Sequence, residues 1–122
     1  MPVVILTMGT RGDVQPFVAL ARGLRAAGHD PVVVAPQAFA EFVSAYGVNF
    51  VPFPGDPAAF IQRLIDRGGS RLRMIREVVA FAMPIAREVL NTALEASRGA
   101  DVILANFLLT VGGYQVARQL DV

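Results

Sequence analysis

Apolar residues along this chain alternate between two rhythms. Short runs, Val3-Val4-Ile5-Leu6, Pro31-Val32-Val33-Val34-Ala35, Val48-Asn49-Phe50-Val51-Pro52-Phe53 and Asp101-Val102-Ile103-Leu104-Ala105, lack the regular polar alternation of a half-exposed strand. Such runs read as strands buried on both faces. Between them the apolar positions recur at helical spacing, as in Phe17, Leu20, Ala21 and Leu24. The pattern predicts strands over 2–8, 31–35, 48–53 and 101–105, and helices over 16–28, 37–46, 57–67, about 71–98 and 110–120. Pro16 suits a first helical turn, Gly28 and Gly47 stop the first two helices, and Thr110 is a candidate cap for the last. Turns are expected at Pro54-Gly55-Asp56-Pro57 and Gly68-Gly69-Ser70. The long helix has an apolar face, Ile75, Val78, Val79, Ala82, Ile85, Ala86, Val89, Leu90 and Ala93. Pro84 falls inside it, and a kink or break is expected there because proline removes one backbone donor and crowds the preceding turn.

Doubly buried strands separated by helices define an α/β fold, a Rossmann-like parallel sheet with helices on both faces. Residues 1–122 make one domain, without repeats or linkers, and its last residues read as a helix followed by the start of another strand. The hydrophobic fraction of 54% and mean hydropathy of +0.51 are high, so either the core is generous or some apolar surface is covered. All 11 basic residues are arginines, which excludes a Walker-type lysine, a Schiff-base lysine and a lysine general base. The absence of cysteine removes disulfides, thiol nucleophiles and thiolate metal sites, and a single histidine, His29, argues against a zinc centre, so no metal is expected. A net charge of +1 with scattered arginines gives no footprint for nucleic acid. Neither a signal peptide nor a membrane span is legible, and the chain reads as soluble and cytoplasmic.

Chemistry is expected in the loop Gly9-Thr10-Arg11-Gly12-Asp13-Val14-Gln15-Pro16, which joins the first strand to the first helix. Open α/β sheets bind ligands at the carboxyl ends of their strands. A nicotinamide-binding turn would need G-x-G-x-x-G and an acid closing the second strand. Here the turn has Gly9 and Gly12 only, and the second strand ends in Val34-Ala35-Pro36.

The same loop, with Phe17-Val18-Ala19-Leu20 and Gly28-His29-Asp30-Pro31-Val32 after it, resembles the amino-terminal domain of bacterial and fungal glycosyltransferases related to sterol glucosyltransferases and to glycopeptide and polyketide antibiotic glycosyltransferases. Asp101-Val102-Ile103-Leu104-Ala105 and Gly113-Tyr114-Gln115-Val116-Ala117 are similar to that family's later strand and helix. The resemblance implies a partial GT-B amino-terminal domain, the acceptor side of an inverting enzyme that transfers a hexose from a nucleotide sugar to a hydroxyl. Its partners would be a small-molecule acceptor, such as a sterol, lipid or natural-product aglycone, and a carboxyl-terminal donor domain lying beyond this chain. No cofactor is implied, because the nucleotide sugar is a co-substrate whose main site lies outside residues 1–122. A chain ending there would leave its fourth strand as an open edge, so self-association through that strand is expected. A non-catalytic binding module of the same fold is the rival reading, since fold does not fix function.

Inverting transfer needs a base for the acceptor hydroxyl. Asp13 is the only acid in the loop and matches the family's proposed base, at a place where many relatives carry histidine; the alternative is that it complements the positive end of the helix. His29, some 18 Å away by a twelve-residue helix, reads as a helix-terminal residue. Gly9 and Gly12 permit close approach of substrate, and Thr10 and Arg11 are candidate contacts for acceptor or phosphate, with a solvated surface role as the alternative for Arg11. Asn106 and Phe107, beyond the fourth strand, are candidate cleft residues. Gly112-Gly113 reads as a close helix-to-sheet approach. Phe60, Ile61, Leu64, Met74 and Phe81 suit either a lipophilic acceptor or the core, with the core favoured.

Overall fold

The computed structural model describes the chain apart from residues 10, 54–56 and 107–109, and apart from the side chains of 57–61, 81, 82, 85 and 110–112. Its elements are β1 (Pro2–Leu6), α1 (Arg11–Ala26), β2 (Asp30–Pro36), a 3-10 turn (Gln37–Phe39), α2 (Ala40–Ala45), β3 (Asn49–Phe53), α3 (Pro57–Arg67), α4 (Arg71–Ala96), β4 (Val102–Ala105) and α5 (Thr110–Leu120). The strands form one parallel sheet in the order β3-β2-β1-β4. At the carboxyl end of β1, Leu6 stands between Val34 of β2 and Ala105 of β4.

Alternate residues of each strand point to opposite faces, and the two sets bury against different helices. On one face Val3, Ile5, Val33 and Ala35 pack with Val14, Val18 and Ala21 of α1 and Val43 of α2. On the other, Val4, Leu6, Val34 and Phe53 pack with Val89 and Ala93 of α4 and Val116 of α5. Ile5 is fully buried, worth about 1.5–3 kcal/mol on its own. Gly113 brings α5 onto the second face, where an added β-carbon would lie 3.0 Å from Ala105 Cβ. That is the close approach expected, seen here at Gly113.

Some local readings are corrected. Helix α1 begins at Arg11 rather than Pro16, so Pro16 sits inside the helix and Asp13 in its first turn. The hydroxyl of buried Thr7 donates to the Asp13 carbonyl at 3.3 Å and ties that early turn to the end of β1. Helix α4 runs from Ser70, whose Oγ accepts from the Arg73 N–H at 3.3 Å, to Ala96 without a break at Pro84. Its apolar face is not buried throughout: Val89 and Ala93 are covered, whereas Ile75, Val78 and Val79 are exposed. In the apolar segment before it Leu64 is buried and Met74 exposed, and the Phe60, Ile61 and Phe81 side chains lie outside the described residues. The turn expected at 54–56 and the Thr110 cap also lie outside them.

Candidate functional site

The chain reverses direction across the sheet between β1 and β4. From β1 it crosses to β2 and β3 over one face, then returns by α3 and α4 to place β4 on the other side of β1. The carboxyl ends of β1 and β4 therefore flank the point from which α1 and α5 leave to opposite faces. Such a switch point is where open α/β sheets form a ligand crevice.

The segment after β1 is held from both neighbouring strands. The Thr7 N–H donates to the Val34 carbonyl at 3.0 Å. On the other side, the Asn106 N–H donates to the Leu6 carbonyl at 3.0 Å and its Nδ2 to the Met8 carbonyl at 2.7 Å. Asn106 is 8% exposed, so its amide braces the loop from the end of β4. Gly9 follows with φ of +132°, a conformation side-chain-bearing residues rarely adopt. A β-carbon there would meet the Asp13 carboxylate, 2.9 Å from Cγ, so the glycine gives the acid its place.

Asp13 is exposed, in the first turn of the helix, where a negative charge is favoured by the helix dipole. Its partners reach back to β1 through both Thr7 and Gly9. Gly12 is exposed beside it. Arg11 is exposed, and its guanidinium lies over the Phe42 ring, 4.7 Å from the centroid. Phe42 meets Tyr46 edge-on at 5.4 Å, and Arg22 covers Tyr46 at 5.3 Å. Arg25 hydrogen-bonds the Gly47 carbonyl, completing a band of arginine–aromatic contacts that fastens α2 to α1.

The structure thus gathers Gly9, Asp13 and Asn106 around one loop, while Thr10 and Phe107 lie outside the described residues. His29 lies at the opposite edge. Thirteen helical residues separate Asp13 from the end of α1, about 20 Å. There the Gly28 N–H donates to the Arg25 carbonyl and the His29 N–H to the Leu24 carbonyl, each at 3.0 Å, with Gly28 at φ of +91°. That double bond is a Schellman motif, and His29 is its closing residue. Thr7 and Phe42 were missed by the sequence reading. For Thr7 the signal was one hydroxyl ending an apolar strand; Phe42 gave none, since an aromatic on a short amphipathic helix reads as core. A groove between α4 and α5, lined by Met83, Leu90, Leu94, Val116, Arg87 and Gln119, carries no carboxylate and lies away from the loop.

Comparison with known proteins agrees with this architecture. The family model for the glycosyltransferase family 28 N-terminal domain matches residues 3–119. A sterol 3-beta-glucosyltransferase of Eremothecium gossypii is 35% identical over 118 residues, covering 97% of this chain and 10% of that protein. The O-mycaminosyltylonolide 6-deoxyallosyltransferase of Streptomyces fradiae is 37% identical over 109 residues, covering 85% of this chain and 26% of the relative. The chain therefore spans about a tenth to a quarter of these relatives' lengths. Among solved structures, the calicheamicin glycosyltransferase superposes with a TM-score of 0.76 at 19% identity, over 98% of this chain and 30% of that one. A Streptomyces sp. SF2575 glycosyltransferase gives 0.71 at 21% identity, over 100% and 37%. These two likenesses are of fold.

Proposed function

The chain belongs to the glycosyltransferase family 28 N-terminal domain family, and on that premise we propose that it supplies the acceptor side of an inverting hexosyltransferase. The enzyme would move a hexose from a nucleotide sugar to a hydroxyl of a lipophilic or natural-product acceptor. The observation that carries this reading is the position of Asp13: an exposed residue at the switch point whose carboxylate lies against Gly9 and whose backbone carbonyl accepts from Thr7, just after the central strand.

In the proposed reaction the acceptor oxygen attacks the anomeric carbon while Asp13 takes its proton. The bond from that carbon to the diphosphate breaks, and the nucleoside diphosphate leaves with the electron pair. Gly9, Thr10, Arg11, Gly12, Asn106 and Phe107 form the acceptor side of the site in this reading. Donor binding is assigned to residues outside this chain, and no metal or cofactor enters the step. The names of the relatives, one a sterol and one an O-mycaminosyltylonolide transferase, support a lipophilic acceptor and a role in lipid or natural-product glycosylation. The lack of cysteine fits a cytoplasmic setting. The unpaired outer edge of β4 supports self-association of the chain when it stands alone.

The test is Asp13→Asn in a transferase that joins this chain to a nucleotide-sugar domain. The transfer rate should fall by about two to four orders of magnitude, the usual worth of a positioned base, with donor affinity unchanged. His29→Ala should leave the rate intact. A reversed ranking removes Asp13 from the chemistry, and an unchanged rate in both variants favours a non-catalytic binding module.

A further inference from the structure

Helices α4 and α5 pack side by side on one face of the sheet and leave between them the groove noted above, about 380 Å³ in volume. That is within the range of small-molecule sites. Leu90, Leu94 and Val116 give it an apolar floor, the first two half-buried and Val116 buried. The rim is polar: Arg87 and Asn91, one turn apart, stand on the α4 wall, and Gln115 and Gln119, one turn apart, on the α5 wall. All four are exposed, and among the described residues none makes a hydrogen bond or ion pair. No carboxylate lines the groove. Glu88 and Glu95 each follow a lining residue and so fall about 100° further round α4, and α5 contains no acid. A second cation, Arg118, lines the adjoining hollow with Gln115 and Gln119.

We propose that this groove is a binding site for a small aromatic carboxylate bearing a hydroxyl. The flat ring covers the apolar floor and takes Leu90 and Leu94 out of water. The carboxylate accepts from the fork of the Arg87 guanidinium. The carboxamides of Asn91, Gln115 and Gln119 both donate and accept, and a hydroxyl, which does the same, answers them better than a second anion. An inorganic anion would leave the floor bare, and a plain hydrocarbon would leave Arg87 and the carboxamides without partners. The inference stands on the groove alone and does not depend on the transfer reaction.

The test is titration of the 122-residue chain with 6-hydroxy-2-naphthoate, followed by two-dimensional NMR, in which each carboxamide side chain gives its own signals. Those of Asn91, Gln115 and Gln119 should move together with a dissociation constant of about 0.1–1 mM, the affinity of a ligand of about fourteen heavy atoms. Those of Asn49 and Gln62, which lie outside the groove, should stay in place. Arg87→Gln should weaken binding about fivefold or more, and so should exchanging the probe for its neutral carboxamide. 2-Naphthoate, which lacks the hydroxyl, should bind about two- to tenfold more weakly. Arg98→Gln, just past the end of α4, should leave binding unchanged. Both substituted side chains are exposed, and circular dichroism checks that each variant is folded. Equal affinity for the carboxamide or for 2-naphthoate, an Arg87→Gln variant that binds as tightly, or shifts centred elsewhere on the chain overturns the proposal. So does the absence of any shift at a few millimolar probe.

Discussion

The Asp13 carboxylate occupies the space that a side chain at Gly9 would fill, with Cγ 2.9 Å from the position of an added β-carbon. Acid and glycine are therefore one device, and the first prediction separates its two components. Gly9→Ala should lower stability by about 2–3 kcal/mol, through the strained φ of +132° together with displacement of the carboxylate. Gly28→Ala, at φ of +91° in open space, should incur only the backbone cost of about 1 kcal/mol. Urea unfolding of the two variants makes the comparison, and equal losses would mean that Asp13 does not press on residue 9.

Two helical glycines should respond oppositely to substitution. Gly23 in α1 has nothing within 4 Å of an added β-carbon, so Gly23→Ala should stabilise by about 0.5–1 kcal/mol through helix propensity. Gly113→Val must push against Ala105 at 3.0 Å and Leu6 at 3.8 Å, and should cost about 1–3 kcal/mol. Thermal unfolding reads both signs.

Because the donor site is assigned elsewhere, the 122-residue chain should neither transfer sugar nor bind nucleotide sugars tightly. Calorimetry against a panel of nucleotide sugars is the check. A micromolar dissociation constant would return the donor site to these residues.

Among the described residues no strand pairs with the outer edge of β4. The isolated chain should self-associate, and light scattering over a dilution series should show a mass that rises with concentration. A monomer that persists at high concentration, with slow amide exchange over Val102–Ala105, would show the edge to be covered.

The sheet was legible because Val3–Leu6 and Val32–Ala35 leave no polar face to put in water, which forces burial between two helical layers. The start of α1 was not. Gly12 and Pro16 argue locally for a loop running to residue 16, and the Thr7–Asp13 hydrogen bond that fixes the earlier turn is tertiary. Asp13 could be singled out as a candidate because it is the only acid in the loop, whereas its contact with Gly9 needs coordinates. The exposure of Ile75 and Val79 was equally hidden. Periodicity shows that a face is apolar, not how far its cover extends: α4, at 26 residues, is about 39 Å long, and five-residue strands such as β1 and β3 reach only about 17 Å. The arginine–aromatic band along α1 and α2 was unreadable for a similar reason, since it depends on two helices lying side by side.

Brackets from Val34 on one side and Asn106 on the other leave the segment after β1 little freedom of its own. Asp13 accordingly travels with the sheet as part of a stiff plate. In the transferase proposed above, a hinge would then lie outside this segment, and the acceptor would have to come to the carboxylate. Relaxation measurements on the backbone of residues 7–9 and 11–13 should find the quiet amplitudes of a strand, with the slow motion confined to whatever swings against them.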